Sequence, residues 1–386
     1  MTGAGHDSYR ANRGRQQLTV GVYPVLMKME TRYTASVVGC GAGGSLSIDA
    51  LLASDRFTLR AVADLSTDAL ERVQQAHPGV KTYNSYLEMF SACPTDVVCV
   101  STYAPSHLPI VKDALGRAEL KGLLVEKPVA DSVQNAFLIL QQIRSRGIPV
   151  VVPHGLLVAK HSTEILSIVR NGAIGRLELV EMQCDKWDLI NAGIHWFNFF
   201  VALTPDDPVV SVHCACDSST GTYRDGLQVE TESVTYAVTR SGVRAVLHTG
   251  DYVQTIRKGK GVFFRLVADA GTIEFYGWES SYRLRNREYP EGRFFEVTPS
   301  KSSNHQIHLE NLSHMIDENA ADYTLISSSI AALEICKAAY ASGDHHCKVL
   351  LPLAQFAPRT FPGWRPGLPY TGNGGGRNGR TLPQNA

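Results

Sequence analysis

The chain has 386 residues, with 37 Lys plus Arg set against 37 Asp plus Glu. That balance excludes nucleic acid or an anionic membrane as the principal partner, because both recruit a surplus of Lys and Arg. Hydrophobic residues at 44% and charged residues at 19% are those of a soluble globular protein, and no run approaches the roughly 20 consecutive apolar residues of a membrane span.

Residues 1–32 read as a disordered extension. Arg10, Arg13 and Arg15 precede the apolar run Leu18 to Met27, but Pro24 interrupts it and no small-residue cleavage site follows, so a signal peptide is not expected. Met27 or Met29 is an alternative start. From Tyr33, β-branched runs alternate with helical ones. Strands are predicted at Thr34–Val38, Thr58–Ala63, Val80–Tyr83, Asp96–Ser101, Gly122–Glu126 and Ile148–Val152. Helices are predicted at Leu46–Ala53, Thr67–Ala76, Ser106–Ala118 and Ser132–Arg146. This alternation predicts an α/β fold with a parallel, doubly wound sheet over residues 33–153.

The first strand runs into Gly39-Cys40-Gly41-Ala42-Gly43-Gly44, a G-x-G-x-x-G turn between strand and helix. Gly39 serves the tight turn, Gly41 the approach of a pyrophosphate, and Gly44 the close packing of helix on strand. Free N–H groups and the dipole at the helix start then hold phosphate. Asp64, at the end of the second strand, is placed to bind ribose hydroxyls. Cys40, Ala42, Gly43 and Leu65 complete the candidate nucleotide contacts. A carboxylate at 64 repels a 2′-phosphate, and Leu65-Ser66-Thr67 brings no cation to hold one, so NAD is expected over NADP.

The fourth strand ends in Ser101-Thr102, with His107 five residues further on, and the fifth in Glu126-Lys127-Pro128. Strand ends on this edge of a parallel sheet face the ligand. Ser101, Thr102, His107, Glu126 and Lys127 are therefore candidate cofactor contacts. From the residues alone, Glu126-Lys127 stays open between a surface ion pair and a functional lysine.

Together the glycine turn, Thr102 with His107, and Glu126-Lys127-Pro128 resemble the Gfo/Idh/MocA oxidoreductases over about residues 33–352. The resemblance implies a Rossmann domain followed by an α/β domain with a large open, mainly antiparallel sheet. That sheet would carry substrate residues and, in many members, the interface of a dimer or tetramer. It also implies that Lys127 contacts both substrate and nicotinamide, next to a Lys-Pro bond that is often cis.

The second domain is placed at 154–352. Helices are predicted at His161–Asn171, Asn191–Leu203, His305–Asn319 and Leu325–Ser342, with Gly343 as a stop. Strands are predicted at Arg176–Lys186, Val209–Cys216, Val229–Thr239, Val243–Val253, Val262–Ala268 and Thr272–Phe275. Asn191 and His195, four apart, are expected on one helix face. The family pattern there is D-x-x-x-H, in which the His is a general acid/base and the Asp binds substrate. Asn191 replaces that Asp and carries no charge to raise the imidazole pKa.

Lys127, His195 and Asn191 are the candidate catalytic residues, with His195 or Lys127 taking a hydroxyl proton. His154, Trp187 and Asp188 join them as candidate substrate contacts: Trp187 and Asp188 offer an indole face and a carboxylate, as sugar sites do. The structural alternatives are a satisfied apolar-face histidine at 195 and a core Trp with a helix-start acid at 187–188.

The eight cysteines are scattered and contain no CxxC pair, which reads as reduced thiols in a cytoplasmic protein. Cys214 and Cys216 are expected on one strand face rather than at a metal, and no metal site is expected. Residues 353–386, rich in Pro, Gly and Asn, read as a loose tail. The resulting expectation is an NAD-dependent dehydrogenase of a sugar-like substrate, forming a homodimer or homotetramer. The alternatives are a redox-neutral enzyme that keeps its NAD and a non-catalytic NAD-binding regulator.

Overall fold

Three strands of the first sheet, Val97–Val100, Gly122–Val125 and Val150–Val151, are apolar and buried along their whole length, as burial on both faces requires. The computed structural model describes residues 32–353, apart from 220–221, 256 and 258–260. The N-terminal extension up to residue 31, the alternative starts and the tail beyond residue 353 lie outside the described residues. The sheet comprises β1 (Tyr33–Val38), β2 (Phe57–Ala63), β3 (Lys81–Tyr83), β4 (Val97–Val100), β5 (Gly122–Val125) and β6 (Val150–Val151). All are parallel, in the order β3-β2-β1-β4-β5-β6. The helices between them are α1 (Ala42–Ala53), α2 (Thr67–Ala76), α3 (Tyr86–Ala92), α4 (His107–Leu115) and α5 (Val133–Arg146). Strand order reverses between β1 and β4, and the carboxyl ends there open the crevice in which such sheets bind ligands. Helix α3, which the sequence reading passed over, is short and starts at Ser85, whose side chain accepts the Glu88 N–H.

Helix α6 (Lys160–Arg170) leads to β7 (Leu177–Asp185), a wide π turn at Leu189–Gly193, and α7 (Ile194–Leu203). Then come β8 (Val209–Asp217), β9 (Thr222–Arg224), β10 (Leu227–Val229), β11 (Glu232–Thr239) and β12 (Arg244–Gly250). After β13 (Val262–Ala268), β14 (Gly271–Tyr276), β15 (Ser281–Arg285) and β16 (Arg293–Glu296), the described chain ends with α8 (Asn304–Asp317), α9 (Thr324–His345) and β17 (Val349–Leu350).

Nine of these strands form one mixed sheet, in the order β16-β15-β14-β13-β7-β12-β11-β8-β17. The β7–β12 pair is parallel and every other pair antiparallel. Helix α7 buries aromatic rings against one sheet face. Phe199 lies 5.6 Å from Phe264, Trp196 lies 5.7 Å from Phe264, and Phe264 stacks on Phe275 at 4.6 Å. On the opposite face Val234, Tyr236 and Arg265 remain exposed, as the period-2 alternation of a one-sided sheet predicts.

Four local expectations change. The strand expected at Val229–Thr239 divides into β10 and β11, because Glu230 turns inward and is fully buried between them. Strands β9 and β10 form a hairpin around Asp225-Gly226, both at positive φ, the turn chemistry that Asp-Gly favours. Gly343 does not stop α9, which continues to His345 and ends at left-handed His346. Gly343 instead lets α9 approach β8, since a Cβ there would lie 2.8 Å from Cys216 Cβ. Finally, α8 packs back onto α1, β5 and β6 of the parallel sheet, where Leu309 and Leu312 join that core. Asp317 at its end accepts from the Tyr33 hydroxyl and pairs with Arg56.

Candidate active site

The glycine turn is held by contacts that leave no room for side chains on its inner side. A Cβ on Gly39, at φ +95°, would lie 2.5 Å from Ser101 O, and one on Gly44 would overlap Gly39 O. Gly41 faces open space on its Cβ side and starts α1 with no side-chain cap, so the first helical amides are unclaimed by side chains. The carboxylate of Asp64 accepts from Cys40 N at 2.6 Å and from Ser66 N at 2.7 Å, and the Leu65 side chain beside it is exposed. The Cys40 thiol is buried and pushed up to about 12 by that burial and by Asp64. These residues fit a dinucleotide: a bare helix start for phosphate and a carboxylate at the ribose end.

At the end of β5, Glu126 is buried under the turn, with its carboxyl 3.3 Å from a Cβ placed on Gly43. It accepts from Lys127 N at 3.1 Å and meets His305 Nε2 at 2.8 Å. Burial alone would push this carboxyl up, but His305 and Lys127 outweigh it and hold it below the usual range. The Lys127–Pro128 bond is cis. The half-buried Lys127 ammonium donates to the main-chain oxygen of Asn191 at 3.0 Å, joining the parallel sheet to the π turn.

His107 is not positioned as a cofactor contact. It is fully buried, with Nε2 2.8 Å from Thr102 O and Nδ1 3.1 Å from Val129 O, so it ties the β4 end to the loop after Lys127. Burial holds its imidazole below the usual value despite those carbonyls. Thr102 Oγ1 accepts from Ser106, and Ser101 Oγ meets Ser47 Oγ at 3.1 Å.

Asn191 sits in the π turn rather than on a regular helix face with His195. Its main-chain N–H and its side-chain Nδ2 both donate to Asp188 Oδ1, at 2.8 and 3.0 Å. Asp188 is fully buried, and its other oxygen pairs with buried Arg224 at 2.6 Å. The carboxylate expected to bind substrate is therefore a turn cap inside the fold. The Trp187 indole expected to stack on a sugar carries the Arg224 guanidinium 4.3 Å from its ring centre. Beside them, buried Glu230 accepts from Leu189 N at 2.7 Å, Tyr340 Oη at 2.6 Å and Thr249 Oγ1 at 3.1 Å. Burial and the charge of Asp188 push the Glu230 carboxyl up.

His195 is the partly exposed histidine of the cleft, and His154 is buried behind it instead of lining it. Their Nδ1 atoms are 3.2 Å apart, and His154 Nε2 is 2.8 Å from Ser329 Oγ on α9. The exposed indole of Trp278 lies 6.4 Å from the His195 ring and 5.5 Å from Trp196. Burial, then Lys127, His154 and His305, push the His195 pKa well below its usual value. Burial, then His308 and Lys127, do the same to His154. Among the described residues, no group of three or more His, Cys, Asp or Glu side chains is placed to hold a metal ion.

Sequence reasoning missed His305, Ser329, Arg224 and Glu230. Each meets at least one partner across more than thirty residues, and the Asp225-Gly226 hairpin that delivers Arg224 was the one local signal present. The Asp188–Arg224 pair gives a direct prediction. Arg224→Met leaves a buried carboxylate without its cation and is expected to cost about 3–5 kcal/mol in urea unfolding. Asp188→Asn combined with Arg224→Met recovers part of that loss, and an Arg224→Met protein of unchanged stability would refute the assignment.

Comparison with known proteins follows the same outline. Residues 34–154 match the model of an oxidoreductase family with an NAD-binding Rossmann fold, Gfo/Idh/MocA. The chain is 25% identical over 193 residues to the rhizopine catabolism protein MocA of Rhizobium meliloti, a match spanning 46% of this chain and 59% of that protein. Its fold superposes on an aldose-aldose oxidoreductase from Caulobacter crescentus with a TM-score of 0.71 at 17% identity, over 83% of this chain and 100% of that one. It also superposes on an Agrobacterium radiobacter oxidoreductase crystallised with NAD+, L-tartaric acid and magnesium, with a TM-score of 0.69 at 14% identity, over 83% and 98%. Among the described residues, no helix is long and apolar enough to cross a membrane. The Rossmann sheet thus matches the Gfo/Idh/MocA family model over residues 34–154, the fold of both sheets is that of these oxidoreductase structures, and the chain spans under two thirds of the length of the curated relatives it matches.

Proposed function

We propose that this chain oxidises or reduces a secondary alcohol or ketone of a sugar, polyol or related hydroxy compound, using a nicotinamide dinucleotide. The bound nicotinamide would accept or return hydride at its C4 carbon. Lys127, Asn191 and His195 are the residues proposed to touch the reacting group. Lys127 sits where the oxygen of the reacting carbon gathers charge and stabilises it. Asn191 positions the hydroxyl, and the proton passes to or from Lys127 or His195. The observation that carries this reading is the reach of Lys127: its neighbour Glu126 lies under the nucleotide turn, while its ammonium bonds the π turn that leads into His195. The nucleotide-binding part is proposed as residues 33–153, completed by packing from α8, and the substrate part as residues 154–352.

Asp64 supports NAD over NADP, since its carboxylate is fixed at the ribose end by two main-chain amides. The uncovered face of the nine-stranded sheet, with Val234 and Tyr236 exposed on β11, is proposed to pair with a second copy of the chain. The even charge balance of the whole sequence suits a neutral or singly charged substrate, bound by local hydrogen bonds rather than steered by a field.

The test is a screen of sugars, sugar acids and cyclitols with NAD, read by absorbance of the reduced cofactor. On a positive substrate, Lys127→Met is expected to lower kcat at least about 100-fold while NADH still binds. Full turnover by that variant would end the mechanism. Calorimetric titration is expected to give tighter binding of NADH than of NADPH, and equal or reversed affinities would overturn the role given to Asp64. Light scattering is expected to report a homodimer or homotetramer that Tyr236→Glu dissociates, and a monomeric parent protein would refute the pairing.

A further inference from the structure

We propose that Ser329 and His154 form a one-way hydrogen-bond relay that fixes His195 as the Nε2–H tautomer, a neutral donor to the substrate oxygen. Ser329 and His154 are positioning residues. The proposal rests on the oxidoreductase reading for its consequence, but not for the tautomers themselves.

His154 follows β6, His195 opens α7, and Ser329 is fully buried on α9. Two facing Nδ1 atoms at 3.2 Å can hold one proton between them. With none, two lone pairs oppose each other; with two, two N–H groups do. The direction is therefore set at the other end of His154. Among the described residues, the Ser329 hydroxyl has one hydrogen-bond partner, His154 Nε2 at 2.8 Å. A buried hydroxyl proton left without an acceptor costs about 1–3 kcal/mol, so Ser329 donates to Nε2. His154 then carries its proton on Nδ1 and donates it to His195 Nδ1. The proton of His195 is left on Nε2, which no described residue engages.

The surroundings keep the pair neutral. Lys127 faces it from the β5 loop, His305 and His308 face it from α8, and Ser329 faces it from α9. The rings of Trp196 and Trp278 lie 5.8 and 6.4 Å from the His195 ring. These groups are cationic, titratable to a cation, or uncharged. Burial and that positive surrounding push both imidazoles away from the charged form. Position 191, where the family pattern has an acid, holds an uncharged Asn that gives an imidazolium no partner charge.

A neutral imidazole with its proton on Nε2 can donate a hydrogen bond from that atom but cannot accept the hydroxyl proton there. In alcohol oxidation Lys127 first gives one proton to solvent, and its neutral amine then takes the hydroxyl proton at Nζ as the O–H bond breaks. The oxygen electron pair forms the C=O bond as hydride leaves the carbon for the nicotinamide. His195 keeps its own proton and holds the oxygen throughout. In reduction Lys127 returns the proton. An uncharged imidazole polarising a carbonyl is established enzyme chemistry.

The test is long-range proton–nitrogen NMR on full-length protein with 15N-labelled histidine, its signals assigned with His154→Asn and His195→Asn. At pH 7, His195 is expected to show a protonated Nε2 and bare Nδ1, and His154 the reverse. Opposite tautomers, or an imidazolium at either ring, would overturn the proposal. Ser329→Ala is expected to mix the two tautomers and lower kcat up to about tenfold at unchanged KM, with Ser329→Thr restoring both. Tautomers unmoved by Ser329→Ala would remove Ser329 from the relay. The tautomers are read without turnover, so an inactive protein that shows them would count against the oxidoreductase reading alone.

Discussion

Everything at the cleft depends on how the wide turn at Leu189–Gly193 is held. The first amides of a helical segment have no partner within it, and here two buried carboxylates take two of them. Asp188 accepts Asn191 N and Glu230 accepts Leu189 N. One guanidinium, Arg224, stands against the pair. Two carboxylates and one cation share a buried interior, and burial with the charge of Asp188 pushes the Glu230 carboxyl up. The turn so fixed presents the Asn191 carbonyl to Lys127 and launches α7 with His195 as its second residue. The separation of Lys127 from His195 is thus set by main chain clamped from behind, rather than by flexible side chains meeting in front.

The same logic explains where the acid of the family pattern went. Asn191 occupies the position of an Asp, yet an Asp stands three residues upstream and bonds the Asn191 amide from inside. Since the carboxylate can receive only N–H, the side-chain Nδ2 is committed inward, and the amide of Asn191 is oriented by chemistry rather than by chance. The negative charge therefore supports the turn and is spent on Arg224, leaving none to pull a proton onto His195. His107 and Glu126 play matching parts on the other side: each is buried, each bridges two loops, and each holds the main chain that carries Lys127.

Much of this was legible in the residues. The parallel sheet, the glycine turn and Asp64 follow from local patterns: strand, then tight turn, then helix, repeated at short range; the cis Lys127–Pro128 bond was implied by the family resemblance alone. Strand alternation also marked the open face of the second sheet. Burial was less legible. Asp188 and Trp187 have the composition of a sugar site, and nothing within ten residues reveals that Arg224 will cover one and neutralise the other. His154 has the sequence of a cleft loop, and only the approach of α9, 175 residues further along, turns it into an interior group bonded to Ser329. Gly343 looked like a helix stop because that is the local meaning of glycine. Its use is the close crossing of α9 over β8, a property of two elements at once.

The cleft ends with a division of charge that follows from burial alone. Lys127 is the cation at its mouth, and a cation beside imidazoles in a low-dielectric site keeps them from becoming cations too. His305 meets Glu126 at 2.8 Å, and that contact helps hold the Glu126 carboxyl below its usual range beneath the glycine turn. Glu126 and His305 therefore form one hydrogen-bonded set under the crevice. His195 and, buried behind it, His154 form a second set whose pKa values are pushed well down by burial and by Lys127. Under the proposed function, this partition would give the stabilisation of charge on oxygen and the orientation of that oxygen to different groups. It does so with residues whose identities, a lysine and a histidine, would by themselves permit either task.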